Sequence, residues 1–515
     1  MDEANELTSV ANDIMTEYLE AHAISSTPLI YRRMALMTLV GGTLGRTVYV
    51  KDGDRIIYPN MYVMLVGDSG TKKSTAIRDA VEFMGMAGYS NFPNVRSSSD
   101  KFLDDLADRV YQREGSVQEM LDNPIGETKL VLALDEAKDF FCYGGSDIQS
   151  SMIRLYDCPD EYKTTSRTNS YKTVTEPTVS YIGGATPKSL AAIIPPESRS
   201  DGLLGRTFLV METIRPEYVP QPFADKKKLV NAATRLGRYI AGAREVKLDE
   251  AALKFINEVG KLRVGPPDSR LDSYVERRRD HLLKFAIVTA VCRGSRVINL
   301  DVVKYAHTIM LYCECTMHFA LGGYGLNKNG DKLTEIIRAM LYTNGVIYHD
   351  EMSTRLGTVV EKTEDLNILM AHLSHCGLVT AISKQSDRAY YTVSKRLPLF
   401  TTYQQFVNPK LLREFSVTEN IILKGMSPLE IHNKSREARY GTKTTEAIFE
   451  TATFQRGAEV ANSNPDPVEP VLTIADRPSA ALRSQLSSAG FGTDRRAPAH
   501  VDSGFDAGDS GWEEC

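Results

Sequence analysis

Residues 59–75 read PNMYVMLVGDSGTKKST, and their order decides the fold class. Tyr62 to Val66 is an unbroken apolar run, the composition of a strand buried on both faces. Gly67 to Ser74, GDSGTKKS, follows it and opens a helix, TAIRDAVEFM. Strand, glycine-bearing loop and helix in that order form the context that a phosphate-binding loop requires. Gly67 and Gly70 let the backbone turn so that the amides of Gly67, Asp68, Ser69, Gly70, Thr71, Lys72, Lys73, Ser74 and Thr75 surround an anion, with the helix N-terminus adding partial positive charge. Lys73 is placed to reach the β- and γ-phosphates of ATP, and the Ser74 hydroxyl to ligate Mg2+; Thr75 is the less well placed alternative. One residue departs from the pattern. Lys72 stands where a glycine normally precedes the lysine, so a plain glycine-rich turn before a helix is the competing reading.

Working outward, VLALDEAKDFF at 131–141 is an apolar strand ending in two carboxylates. At the C-terminal end of a parallel strand, Asp135 would hold magnesium through water and Glu136 would polarise an attacking water. The same pair often caps the next helix instead. PTVSYIGGATP at 177–187 ends in Thr186, a polar side chain at the same sheet edge, placed to sense the γ-phosphate or else to form a turn before Pro187. In SRSDGLLGRTFLV at 198–210, Arg206 precedes an apolar strand. A guanidinium stabilises charge on transferring phosphoryl oxygens and is commonly supplied across a subunit boundary, which makes Arg206 the candidate trans-acting finger and Arg199 its reserve. A structural ion pair is the alternative for Arg206.

EYKTTSRTNSYKTVTEP at 161–177 alternates Tyr, Thr and Val with basic residues around a Thr-Asn-Ser turn, which predicts a hairpin. Lys163, Arg167 and Lys172 are candidates for nucleic-acid phosphates, and Tyr162 or Tyr171 for stacking on a base; an ordinary solvated hairpin is the other possibility.

Composition narrows the partners. With 515 residues and a formal net charge of -5, the chain has room for about two or three domains, and any nucleic-acid contact must be a local patch. The seven cysteines lack a repeated metal spacing, and Cys313 and Cys315 form a lone pair on an apolar helix, so zinc is not expected. No stretch reaches the roughly 18 apolar residues of a membrane span, and the acidic start is unlike a secretory signal. A cytoplasmic protein without a membrane contact is expected.

The predicted fold class is α/β, a P-loop NTPase core of RecA or AAA+ type with a mostly parallel sheet. The predicted boundaries are an N-terminal helical segment over 1–47, the ATPase core over 48–224 and a helical lid over 225–325. A winged helix over 326–400, an extension over 401–445 and a disordered acidic-tipped tail over 446–515 complete the chain. Core strands are expected at Tyr62–Val66, Leu130–Leu134, Val179–Ile182 and Thr207–Met211. Lys384 and Arg388 are the cations of the wing turn. The last residues, VDSGFDAGDSGWEEC, hold five carboxylate side chains and the only tryptophan, Trp512, a composition that suits docking to a polymerase or a single-strand-binding protein.

PNMYVMLVGDSGTKKST, LALDEAKDFF, PTVSYIGGATPKSL and DGLLGRTFLV together resemble a family of P-loop ATPases of phages, plasmids and prophages, long carried as a domain of unknown function and described as primase-helicases or replicative helicases. The resemblance spans roughly residues 10–320. That family also tolerates a basic residue at the Lys72 position; it usually has Ser where this chain has Gly205. The resemblance implies an ATP- and Mg2+-dependent helicase motor for phage or mobile-element replication in a bacterial host. It would form a hexameric ring on single-stranded or forked DNA, with ATP at subunit interfaces. No primase signature accompanies the motor. A loader or initiator ATPase without unwinding activity, and a nucleotide-dependent scaffold on DNA, are the alternatives.

Overall fold

The computed structural model describes residues 13–94, 96–108, 128–165, 171–194, 202–212, 219–266 and 268–321, together with parts of 332–411. Arg167, Arg199, Lys384, Arg388, Trp512 and the acidic tail lie outside the described residues, and of Tyr171 only the backbone is described. The chain divides into Met1–Glu446 and Ala447–Cys515, the second wholly outside those residues.

Two helices come first: α1 (Ile14–Ala21), capped by the Asp13 side chain, and α2 (Leu29–Leu44), in which every residue after Leu29 is buried. An antiparallel pair, β1 (Val50–Asp52) and β2 (Arg55–Ile57), leads into β3 (Tyr62–Val66). Then follow α3 (Lys73–Met86), α4 (Ser99–Ala107), β4 (Thr128–Leu134), α5 (Ala137–Tyr156), β5 (Glu161–Thr165), β6 (Tyr171–Thr175), β7 (Pro177–Ala185), α6 (Pro187–Ile193), α7 (Leu203–Arg206) and β8 (Thr207–Met211). The architecture is mixed α/β around a four-stranded parallel sheet in the order β4-β7-β3-β8. All residues of β3, β7 and β8 are buried, as expected of parallel strands covered by helices. Helix α2 packs on β7 and β4, and α5 on β7.

The register fixes what meets at each end of the sheet. Val66 is level with Ala185 and with Met211, and Leu134 with Gly183. Residues 67–74, 135–136, 186 and 212 therefore emerge at one edge. The glycines of β7 are required here. A Cβ at Gly184 would stand 2.5 Å from the Asp135 carbonyl oxygen, and one at Gly183 2.9 Å from the Ala137 side chain, so any larger residue would push the turn after β4 off the sheet.

The region expected as a lid is helical: α8 (Lys226–Gly242), α9 (Glu250–Leu262), α10 (Asp272–Cys292) and α11 (Leu300–Leu321), with the short parallel strands β9 (Lys247–Leu248) and β10 (Val297–Ile298). It does not stand off the core. Thr316 donates its hydroxyl to the Met211 carbonyl at 2.6 Å, and the Phe208 ring lies 4.9 Å from that of Phe285. These contacts fold α10 and α11 against β8 by burial of aromatic surface. Helix α8 crosses α3 with almost no clearance, because a Cβ at Gly237 would fall 2.5 Å from the Ala87 carbonyl oxygen.

Between α10 and α11 lies a buried polar cluster. Arg278 donates to both carboxylate oxygens of Glu314 at 2.7 and 2.9 Å, and Tyr274 to one of them at 2.7 Å. His307 meets Arg278 through Nε2 at 2.9 Å and the Phe406 carbonyl through Nδ1 at 2.9 Å. A guanidinium only donates and a carbonyl only accepts, so His307 must be neutral with its proton on Nδ1.

Farther along, β11 (Val346–Tyr348), α12 (His349–Leu356), α13 (Thr363–His375), β12 (Val379–Ala381) and β13 (Tyr390–Val393) form two helices and an antiparallel sheet in the order β11-β13-β12. The strand β11 was not anticipated from sequence, since three residues carry little periodicity. Among the described residues no helix is long and apolar enough to cross a membrane.

Candidate functional site

The loop between β3 and α3 is held at both ends. Gly67 donates its amide to the Ala185 carbonyl at 3.1 Å, and Thr71 closes a turn onto the Asp68 carbonyl at 3.3 Å. Beneath it, buried Tyr31 donates to the Val66 carbonyl at 2.7 Å and accepts the Glu212 amide at 3.2 Å. Tyr31 thus ties the ends of β3 and β8 together. Gly67 must be small because a Cβ there would lie 2.8 Å from the Thr71 hydroxyl and 2.9 Å from that of Tyr31.

Lys73 is buried, and its ammonium donates to the carbonyls of Gly67 and Asp68 at 2.7 and 2.9 Å and to the Thr71 hydroxyl at 3.2 Å. Burial pulls its pKa below the usual lysine range, while the Glu136 and Asp68 carboxylates act to raise it. The lysine is therefore pinned inside the loop by the loop's own oxygens. Lys72 adopts φ 65° and ψ 25°, the left-handed region in which a side chain costs about 1–2 kcal/mol. That conformation is the physical reason a glycine suits this position. Helix α3 has no side-chain N-cap, whereas α4, α6, α8 and α9 are capped by Ser98, Thr186, Asp225 and Asp249. Among the described residues the amides of Ser69, Gly70, Lys72, Lys73 and Ser74 donate to no protein acceptor. Unpaired amides at a helix start suit an anion.

Across β7 stand the two carboxylates. Asp135 is exposed and accepts from the Asn94 side chain at 3.2 Å. Glu136 is exposed and occupies the N-cap position of α5 without a side-chain capping bond. The carboxylate of Glu136 is thus not used as a cap. Ser74, exposed in the first turn of α3, and Asp135 share the sheet edge and offer hard oxygen donors, a set that fits Mg2+. Among the described residues no group of three or more His, Cys, Asp or Glu side chains is arranged to hold a metal by protein ligands alone.

Thr186 lies at this edge too, but its hydroxyl is engaged: it accepts the Ser189 amide at 3.1 Å in a capping box at the start of α6. The local capping role therefore accounts for it as it stands.

Arg206 sits at the other end of the sheet. The next residue, Thr207, is level with Tyr62, four residues before Val66 and so about 13 Å from the loop at a strand's rise. Its side chain is 10% exposed, pairs with Asp157 at 2.7 Å and donates to the Gly202 carbonyl at 3.2 Å. Arg277 reaches the same Asp157 at 3.7 Å. Arg206 is an ion-paired residue in this chain, the alternative that sequence left open.

The hairpin strands β5 and β6 pair antiparallel, Tyr162 level with Val174. Both point inward, and the buried Tyr162 donates its hydroxyl to Ser151 at 3.0 Å. This corrects the stacking role considered for Tyr162: strand alternation turns its ring into the core. Lys163 pairs with Glu161 at 3.0 Å, and Lys172 with Asp104 and Asp108 at 3.1 and 3.5 Å. Tyr31, Asn94 and Asp157 escaped sequence reasoning, because their partners lie 35, 41 and 49 residues away and nothing local marks them.

No protein-family model matches the chain, and no curated protein matches it.

Proposed function

We propose that this chain is an ATP-hydrolysing P-loop motor subunit that acts on DNA, with its nucleotide bound at the edge formed by residues 67–75, 135–136 and 186. The observation that carries the reading is the strand register, which gathers three distant segments at one edge and leaves Arg206 at the opposite one. With β7 interposed, the loop strand and the carboxylate strand are about 10 Å apart, room for a terminal phosphate and a water between Lys73 and Glu136. Uncapped amides hold the phosphates, joined by Lys73 once its ammonium exchanges the Gly67 and Asp68 carbonyls for phosphate oxygens; Ser74 and Asp135 would hold Mg2+, which would supply charge neutralisation, and Glu136 accepts a proton from the attacking water. Arg206 is too far from its own loop to serve it, which supports a role toward a neighbouring subunit's nucleotide in a ring. Such a role requires Asp157 to release it. Strands β11–β13 with α12 and α13 support a winged helix.

Glu136→Gln is expected to bind ATP normally and to lose turnover by a factor of about 10² or more, measured by phosphate release beside nucleotide affinity. Mixing Lys73→Ala with Arg206→Ala chains, each inactive alone, should restore part of the rate if the site is shared. Full turnover by Glu136→Gln would sink the reading.

The paired state of Lys163 and Lys172 favours a second reading, an ATPase loader or switch that does not unwind DNA. Strand displacement on a forked duplex separates the two, since a loader would hydrolyse ATP and leave the fork intact.

A further inference from the structure

In a chain of net charge -5, residues 226–247 carry seven Lys or Arg against a single Glu. Two of these cations are committed: Lys228 pairs with Glu20 and Arg235 with Glu17. Among the described residues Lys226, Lys227, Arg238 and Lys247 pair with no carboxylate. Helix α8 buries Leu229, Ala232, Ala233, Leu236 and Ile240, so the opposite stripe of Lys227, Asn231, Thr234 and Arg238 faces outward, all four exposed. At its C-terminal end the stripe runs into a cavity of about 190 Å³, lined by Arg238, Arg244, Arg296, Tyr239 and Ser295 among others and by no acidic side chain.

Two of the three cavity arginines are held in place. Arg244 donates to the carbonyls of Ala241 and Ala243 at 3.1 and 2.7 Å, and Arg296 to that of Gly242 at 2.8 Å. These are end-of-helix carbonyls that have no helical partner, so the guanidinium groups satisfy them and become oriented. Each guanidinium has five N–H donors, and the carbonyls take only one or two. The remaining donors and the full positive charges are left for an anion.

We propose that this corner is a nucleic-acid backbone site, in which the stripe on α8 follows successive phosphates and the three arginines enclose one of them. The partner class is the one the proposed function names, and the inference rests on that reading; the surface is a different one from the hairpin. A free phosphate would use only the cavity, whereas the 17 residues of α8 extend about 25 Å, long enough for several successive phosphates of one strand.

The test is fluorescence anisotropy of the full chain with a labelled single-stranded oligonucleotide, without nucleotide, across a salt series. Lys227→Glu with Arg238→Glu changes only exposed residues that pair with no carboxylate, so the melting temperature should hold while affinity falls at least tenfold. Arg238→Ala with Arg244→Ala and Arg296→Ala should lower the logarithmic salt slope by about 0.7, the value for one lost phosphate contact on a single strand. Unchanged affinity and slope in the Glu variant would overturn the proposal, as would loss of binding only in Lys163→Glu with Lys172→Glu. Competition by inorganic phosphate with no effect of Lys227→Glu alone would make the cavity a small-anion site, which also overturns it. If the unaltered chain binds no oligonucleotide, the DNA half of the proposed function falls with it.

Discussion

Tyr31 donates its hydroxyl to the carbonyl of Val66, the last residue before the loop, at 2.7 Å, and burial keeps that hydroxyl protonated far above the usual tyrosine range. Tyr31→Phe keeps the ring and deletes the bonds to Val66 and Glu212. The expected cost is about 1–3 kcal/mol, read as a lower urea midpoint, with weaker nucleotide binding because the loop loses its floor. An unchanged midpoint would show that neither bond matters.

Lys72→Gly should act in the opposite direction. Glycine removes the left-handed penalty of about 1–2 kcal/mol but gives back up to about 1 kcal/mol in unfolded-chain entropy. A net gain of about 0.5–1 kcal/mol is expected in the same denaturation experiment. A loss would mean that the Lys72 side chain contributes more than its backbone costs.

Asp157→Asn leaves the Arg206 guanidinium, 10% exposed, without its carboxylate. A fully buried partner would cost several kcal/mol, but Asp157 is 55% exposed, so about 1–2 kcal/mol is the expected loss. Thermal unfolding reads it. Carried on the Lys73→Ala chain of the mixing experiment, the freed arginine should also complement Arg206→Ala chains at least as well as the unaltered one, and a failure to do so would count against a trans role.

Acid should destabilise the fold at unusually mild pH. Burial holds His281 and His318 down to about 4, and burial with the neighbouring Arg278 holds His307 well below the usual histidine range. Unfolded histidines take up a proton below about pH 6.5 while the folded ones do not. Stability is therefore full above that pH and is lost as pH falls toward 4, by about 1.4 kcal/mol per pH unit for each histidine. Urea midpoints between pH 7.5 and 5 test this; a flat profile would contradict the neutral His307 deduced from its partners.

The strands of the sheet were the legible part of the sequence. Tyr62–Val66 and Thr207–Met211 coincide with the observed β3 and β8, because runs of four or five apolar residues bounded by a glycine loop or a charged residue leave little choice. Strand β7 was read short, as Val179–Ile182, against Pro177–Ala185. Gly183 and Gly184 look like a strand's end in sequence, yet they continue it because the turn at Asp135 leaves space for nothing larger. The carboxylate pair was visible too, but whether Glu136 would be consumed as a cap was not. Alternation in the hairpin showed that Tyr162 and Lys163 face opposite ways, without telling which way is inward; the depth of the neighbouring Ser151 decides that. Ion pairs such as Arg206 with Asp157 depend on where two distant helix ends meet, and no spacing rule encodes them.

The contact of Gly237 with Ala87 makes α8 and α3 a single lever. Ala87 ends the helix whose first residue is Lys73, and a helix is stiff along its axis. A displacement of the outer helix has no gap at Ala87 to be absorbed in, so part of it is expected to pass along α3 toward the loop. Adding one methyl at Gly237 would wedge the two apart and should disturb the loop about 20 Å away, at the rise of 1.5 Å per residue, with no change to any residue in it.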